Sequence, residues 1–395
     1  MDQNQRFHTL RHSWKAALCG LLAVSMCACS APSSASSGIP QVEDSPLVDD
    51  SLYVLHEENT DTPLNGQGAA VAFVADTDGT DTGPDAALWR GVQAFADTFS
   101  YTAQLYQTEE ASLESRENAL RSAAESGAAM VVCRGEDMAA ALYNIQNNYP
   151  SVAYLCLDAE PHAEDYTSYQ TAVNTHCVLF NEEQAAYLAG YATVMDGRTK
   201  LGFVGSESMP GIVRCCTGFL QGVDAAAQSQ GVQASVEVWY VGSEDAYDVV
   251  TQRMSEWYGD GIEAVMAAGD GTLQGCIDAA QGTGAVVIGT DWDSTGNDSV
   301  VLTSAMKNYS LTVQHKLYEY FSAGGWGQGG GTTDRVGASE YAVGLPQVNW
   351  RMAYFGQREY EKLYQNLHDS VIKVEKLSDV SSLPETPNVA VNILG

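Results

Sequence analysis

Two residues of opposite charge close apolar runs in the second half of the chain: Asp291 ends GAVVIGT, and Lys307 follows LTSAM. A carboxylate offers two acceptor oxygens and an ammonium three donors, so the pair can hold the polar groups of a small solute without a cofactor. A lysine ending an apolar run needs a partner or an exit to water, so Lys307 either reaches a ligand or neutralises Asp291. Trp292 is a surface for a planar group or an ordinary half-buried aromatic, and Asp293 is expected to be solvated. In AAGDGT, Gly269, Asp270 and Gly271 follow another apolar run and let the backbone approach a ligand closely. Asp158 ends SVAYLCLD, and Asp85 lies in ADTDGTDTGPDAALWRG. Ser206 and Glu207 belong to the small-residue loop of GFVGSESMPGIVRCCTGF, where a helix is predicted from about Pro210 with Ser208 as its cap. Each of these also has a plain reading as turn or cap chemistry.

None of this is the chemistry of bond making. The chain has no GxSxG and no His/Cys metal spacing, and its seven histidines form no triad that spacing reveals. DTDGTD lacks the position-5 ligand and the distal glutamate of a calcium loop. No enzyme activity, metal or cofactor is expected; a hydrolase on an α/β scaffold is the rival from that class.

Strand ends hold such groups only if strands exist to end there. AAVAFVAD, YTAQLYQ, AAMVVCRG and SVAYLCLD are strands separated by the helices PDAALWRGVQAFADTF, SLESRENALRSAAESG and DMAAALYNIQNNY. The alternation restarts with helix FNEEQAAYLAGYATVM and continues through KLGFVG, ASVEVWYVG, EAVMAAG and GAVVIGTD with helices between them. Near-continuous apolar strands alternating with amphipathic helices predict parallel sheets covered on both faces, here two doubly wound α/β units. A third section holds VVLTSAMKN, the helix SLTVQHKLYEYFSAGGW and a final helix over 357–374. A chain of 395 residues has room for two such units.

Charge and the N-terminus bound the setting. With 50 acidic and 19 basic residues the net charge is -31, a surface that repels phosphate backbones, so nucleic acid is not an expected partner. Arg6, Arg11 and Lys15 precede AALCGLLAVSM, too short to span a bilayer but suited to a signal-peptide core. MCACS follows, and the small residue before Cys29 marks that cysteine as a lipidation site, with Cys27 in competition. Residues 1–28 are then a lipoprotein signal peptide and 29–67 an acidic, Ser/Pro-rich tether. The six cysteines beyond Cys29 show no spacing that dictates a disulfide, and Cys133 and Cys156 read as buried thiols.

Several blocks in order resemble the BMP (basic membrane protein) family of substrate-binding lipoproteins, which includes purine-nucleoside receptors of ABC importers. They are ALWRG, FNEEQAAYLAGYATVM, GFVGSESMPGIVRCCTGFLQGV, AAGDGT, VIGTDWD and LTSAMKN, spread over 68–345. The resemblance implies a type I periplasmic binding protein: two doubly wound parallel-sheet lobes joined by three crossing segments, with the ligand between them. It divides the chain into an N-terminal lobe of 68–176 plus 300–330 and a C-terminal lobe of 177–299 plus 331–395. It further implies that Asp291 accepts hydrogen bonds from ribose hydroxyls and that Lys307 points at the sugar. Family aromatics are absent where Pro84 and Asp85 stand and where Cys215 follows Arg214; Trp292 is a candidate replacement. The implied protein is lipid-anchored on the extracytoplasmic face and passes a nucleoside to an ABC permease. A sugar or other solute in the same fold, and a sensory ectodomain with a signalling partner, are the alternatives.

Overall fold

Apolar runs with no wet face become central strands in the computed structural model, which describes residues 64–394 except 244–246, 270 and 297. The signal peptide, Cys29 and most of the tether lie outside the described residues. Order begins before Gly68: the Asn65 amide and side chain both donate to the Phe321 carbonyl, at 2.9 and 2.8 Å.

The first sheet contains β1 (Ala70–Ala75), β2 (Thr102–Gln107), β3 (Met130–Arg134), β4 (Ala153–Leu157), β5 (Thr175–Phe180) and β11 (Thr332–Val336). Its order is β2-β1-β3-β4-β5-β11, with every pairing parallel. The second contains β6 (Lys200–Gly205), β7 (Ala234–Tyr240), β8 (Ala264–Ala268), β9 (Val286–Asp291), β10 (Val301–Lys307), β12 (Val343–Gly344) and β13 (Val389–Leu394). Its order is β13-β7-β6-β8-β9-β10-β12, parallel except where β12 meets β10. Both sheets reverse direction after their first strand, between β1 and β3 and between β6 and β8. Loops diverge at such a point and leave a crevice at the strands' carboxyl ends.

Helices α1 (Gly83–Phe99), α2 (Leu113–Glu125) and α3 (Glu136–Ile145) connect strands of the first sheet. Helices α4 (Glu182–Met195), α5 (Pro210–Gln230), α6 (Tyr247–Gly259) and α7 (Thr272–Ala280) serve the second. Helix α8 (Tyr309–Ala323) returns to pack on α1, and α9 (Gln357–His368) follows the last crossing. That α1–α8 contact explains the glycine of ALWRG: a Cβ at Gly91 would lie 2.4 Å from Val313 Cγ1 and 2.8 Å from Ser310 Cα. Phe73, Leu88 and Phe95, all fully buried nearby, each contribute ~1.5–3 kcal/mol through lost apolar surface.

The chain crosses between lobes after Phe180, Lys307 and Val336. Asn181 N–H donates to the Val336 carbonyl (2.8 Å) and Asn308 N–H to that of Ala342 (2.7 Å), so the crossings are tied together. Strand membership moves the expected boundaries: THCVLF, assigned to the second lobe from residue 177, is β5 of the first sheet. Likewise 301–307 is β10 of the second sheet, not part of the first lobe, and β11 belongs to the first sheet rather than the second. A single residue, the N-cap Asn181, separates β5 from α4, and so short a connection hides the true end of the first unit.

Across β3, β4 and β5, Cys133, Cys156 and Cys177 lie in register and are fully buried. All six cysteines from Cys133 onward are free thiols. Among the described residues no helix is long and apolar enough to cross a membrane.

Candidate functional site

The two direction reversals bring four strand ends face to face. From the first lobe come Arg134 at the end of β3 and Asp158 just after β4. From the second come Asp291 at the end of β9 and Lys307 at the end of β10. Lys307 Nζ lies 2.9 Å from Asp158 Oδ1 and 2.8 Å from Asp291 Oδ1, so one ammonium joins the lobes. It also stands 5.8 Å above the Phe180 ring. Asp158 and Asp291 both take left-handed backbone, φ 67° and 68°. Asp tolerates that region better than most residues, and here it turns each carboxylate out of its strand toward the cleft.

The remaining polar contacts are ordered by burial. Tyr309 O–H donates to Asp158 Oδ2, leaving that carboxylate with both oxygens engaged. Arg134 Nε donates to Asp85 Oδ1 (2.8 Å), and the Asp76 amide donates to Asp85 Oδ2 (3.0 Å). Asp85 thus holds an arginine and does not face the cleft directly. Asp291 is the open one of the three: its side chain is 36% exposed, against 8% for Asp85 and 12% for Asp158.

Electrostatics follow the pairing. Burial alone would lower the Lys307 ammonium, but Asp158 and Asp291 outweigh it and raise Lys307 well above the ordinary lysine value. Burial likewise opposes ionisation of Asp291; Lys307 and Arg134 reverse this and set Asp291 below the usual carboxylate range. Arg134 is raised too, since Asp85, Tyr309 and Asp158 outweigh its burial. Lys307, Arg134 and Asp291 are therefore charged at neutral pH.

A small pocket of about 140 Å³ opens beside Asp291, lined also by Trp292, Thr290, Gly269, Gly271 and, from the first lobe, Pro84. Gly269 has φ 86°, and a Cβ there would sit 2.1 Å from Ser206 Oγ. Ser206 itself is 1% exposed; its carbonyl accepts from Gly242 and Ser243 (2.7 and 3.0 Å), so it shapes the loop. Glu207 is half-buried beside it and does not line the pocket. Asp270 lies outside the described residues. Asp293 is not merely solvated: its Oδ1 accepts from Thr295 N–H (2.9 Å) and closes a turn. Met209, not Ser208, is the N-cap of α5, which has no side-chain cap bond, while Pro210 occupies the first turn. Arg134 and Tyr309 are members that the sequence reading missed. Their signal, an arginine ending the apolar run MVVC and a tyrosine two residues past Lys307, gains meaning only from partners far away in the chain.

The model of a family described as PnrA-like ABC transporter substrate-binding proteins (Bmp) matches residues 69–385. Basic membrane protein D of Borreliella burgdorferi is 28% identical over 218 residues, covering 53% of this chain and 61% of that protein. Basic membrane protein B of the same species is 27% identical over 209 residues, covering 52% and 59%. The chain thus spans about three fifths of the length of the curated relatives it matches. An ABC transporter solute-binding protein from Conexibacter woesei superposes with TM-score 0.62 at 20% identity, covering 78% of this chain and 99% of that one. Another, from Aeropyrum pernix K1, gives TM-score 0.61 at 19% identity, covering 79% and 95%. At these identities the structures establish likeness of fold, the two-lobed type I periplasmic binding protein.

Proposed function

Because the chain belongs to the PnrA-like family of ABC transporter substrate-binding proteins, we propose that it captures a nucleoside or related ribosyl compound between its lobes and delivers it to an ABC permease. The observation that carries this reading is the exposed face of Asp291 on a pocket that also holds Trp292. A carboxylate suits the vicinal hydroxyls of ribose, and an indole suits a planar base. Enclosure between lobes strengthens such bonds by excluding water, and closure gives a permease a shape to read. The role is binding and delivery, with no bond made or broken.

The protein works at the extracytoplasmic face of the membrane, held by a lipid on Cys29 and the tether behind it; Cys29→Ser then releases it in soluble form. A sugar in the same pocket is the second reading, favoured by Pro84 on the pocket wall and by the burial of Cys215, where the resembled family carries aromatics. Melting temperature measured against nucleosides and simple sugars separates the two, since a ligand that binds only the folded state raises it. Stabilisation by nucleosides supports the first reading; stabilisation by sugars alone supports the second.

A further inference from the structure

Arg134 is held in place more firmly than charge balance requires. Asp85 takes its Nε at 2.8 Å and is itself fixed by the Asp76 amide; the Tyr309 ring lies 5.9 Å from its Cζ. Its Nη1 stops 4.0 Å from Asp158 Oδ2, beyond hydrogen-bond reach, because Lys307 and Tyr309 occupy that carboxylate. Among the described residues neither Nη group donates a hydrogen bond, yet the side chain is 26% exposed. Arg134 does not itself line the pocket of Asp291 and Trp292; it stands in the same cleft, 4.0 Å from Asp158, the carboxylate that shares Lys307 with Asp291.

A guanidinium fixed through Nε, with its Nη edge free, presents parallel donors to a pair of acceptors in one plane. Its surroundings decide what kind of acceptor. Asp85, Asp158 and Asp291 outnumber Arg134 and Lys307, so a further negative charge is disfavoured and a neutral ligand with two adjacent acceptors is favoured. Resting on the nucleoside reading above, we propose that Arg134 is the specificity-determining residue for the base and selects a 6-oxopurine nucleoside through its O6 and N7. Guanosine and inosine present two acceptors on that edge. Adenosine presents N7 beside an amino donor, which opposes the arginine, and uridine offers a single carbonyl. Methionine at this position keeps an unbranched side chain of similar length but offers no donor to O6 or N7, and that contrast provides the test.

Calorimetry on the full mature chain with guanosine, 7-deazaguanosine, adenosine and uridine reads the preference directly. The unmodified protein should bind guanosine about tenfold or more tightly than adenosine and than 7-deazaguanosine, which lacks the N7 acceptor. Arg134→Met should bring guanosine and adenosine to similar affinity. If Arg134→Met fails to fold, the 7-deazaguanosine comparison on the unmodified chain decides alone. Equal binding of guanosine and adenosine by the unmodified protein, or a guanosine preference that survives Arg134→Met, overturns the assignment and leaves the nucleoside reading standing. Binding of sugars but of no nucleoside overturns both.

Discussion

Asp158 and Asp291 end strands in different lobes and share one ammonium, that of Lys307, at 2.9 and 2.8 Å. The pairing makes Lys307 a tie across the cleft. Removing it leaves the buried Asp158 and the more open Asp291 facing each other without the charge they share, with only Arg134 nearby at 4.0 Å from Asp158. Lys307→Met should therefore cost about 3–5 kcal/mol of stability in denaturant unfolding. A loss below about 1 kcal/mol would mean that the tie is solvated and contributes little.

The second prediction concerns pH. Burial first, and Lys316 second, lower the His315 imidazole to about 4. Between its ordinary value near 6.5 and about 4 the unfolded chain takes a proton that the folded chain refuses. Stability from this group is present above 6.5 and lost as pH falls through that window, by ~2 kcal/mol between pH 6.5 and 5. Glu183, raised by burial, works in the opposite direction as pH falls. The informative quantity is thus the difference between the unmodified protein and His315→Gln, whose stability should fall less steeply from pH 6.5 to 5. Parallel pH profiles for the two proteins would contradict the assignment.

Gly269 tests the pocket wall. Alanine there meets Ser206 Oγ at 2.1 Å and must hold φ 86°, so Gly269→Ala should lower the melting temperature and weaken ligand binding together. Adding Ser206→Gly removes the nearest clash but neither the contact with Ile212 Cδ1 at 2.9 Å nor the backbone strain, and should restore part of the loss, leaving about 1 kcal/mol or more. No rescue by the second change would show that the two loops do not press on each other as described.

How much of this was legible in the sequence depends on distance along the chain. The strands AAVAFVAD and GAVVIGTD and the helix starting at Pro210 declare themselves locally, because continuous apolar runs and proline chemistry need no partner. Asp291 and Lys307 were legible as strand-end charges for the same reason. β5 was not, since only Asn181 separates THCVLF from the helix that follows, and the lobe boundary was misplaced with it. β13 was missed because VAVNIL alternates at an edge and becomes a strand only beside β7. Asp85 reads alone as a ligand contact; with Arg134, 49 residues later, it is seen to hold an arginine. Whether Lys307 neutralises Asp291 or serves the site was open from sequence; in the structure it pairs with Asp158 as well.

The account rests on Asp291 reading a ribose, and calorimetry with inosine and 2′-deoxyinosine tests that directly. The unmodified protein should bind the ribosyl form more tightly. Asp291→Ala removes a charge-assisted hydrogen bond worth ~1.5–3 kcal/mol, so it should weaken inosine binding about ten- to a hundredfold and narrow the gap between the two sugars. Equal binding of inosine and 2′-deoxyinosine by the unmodified protein would contradict it.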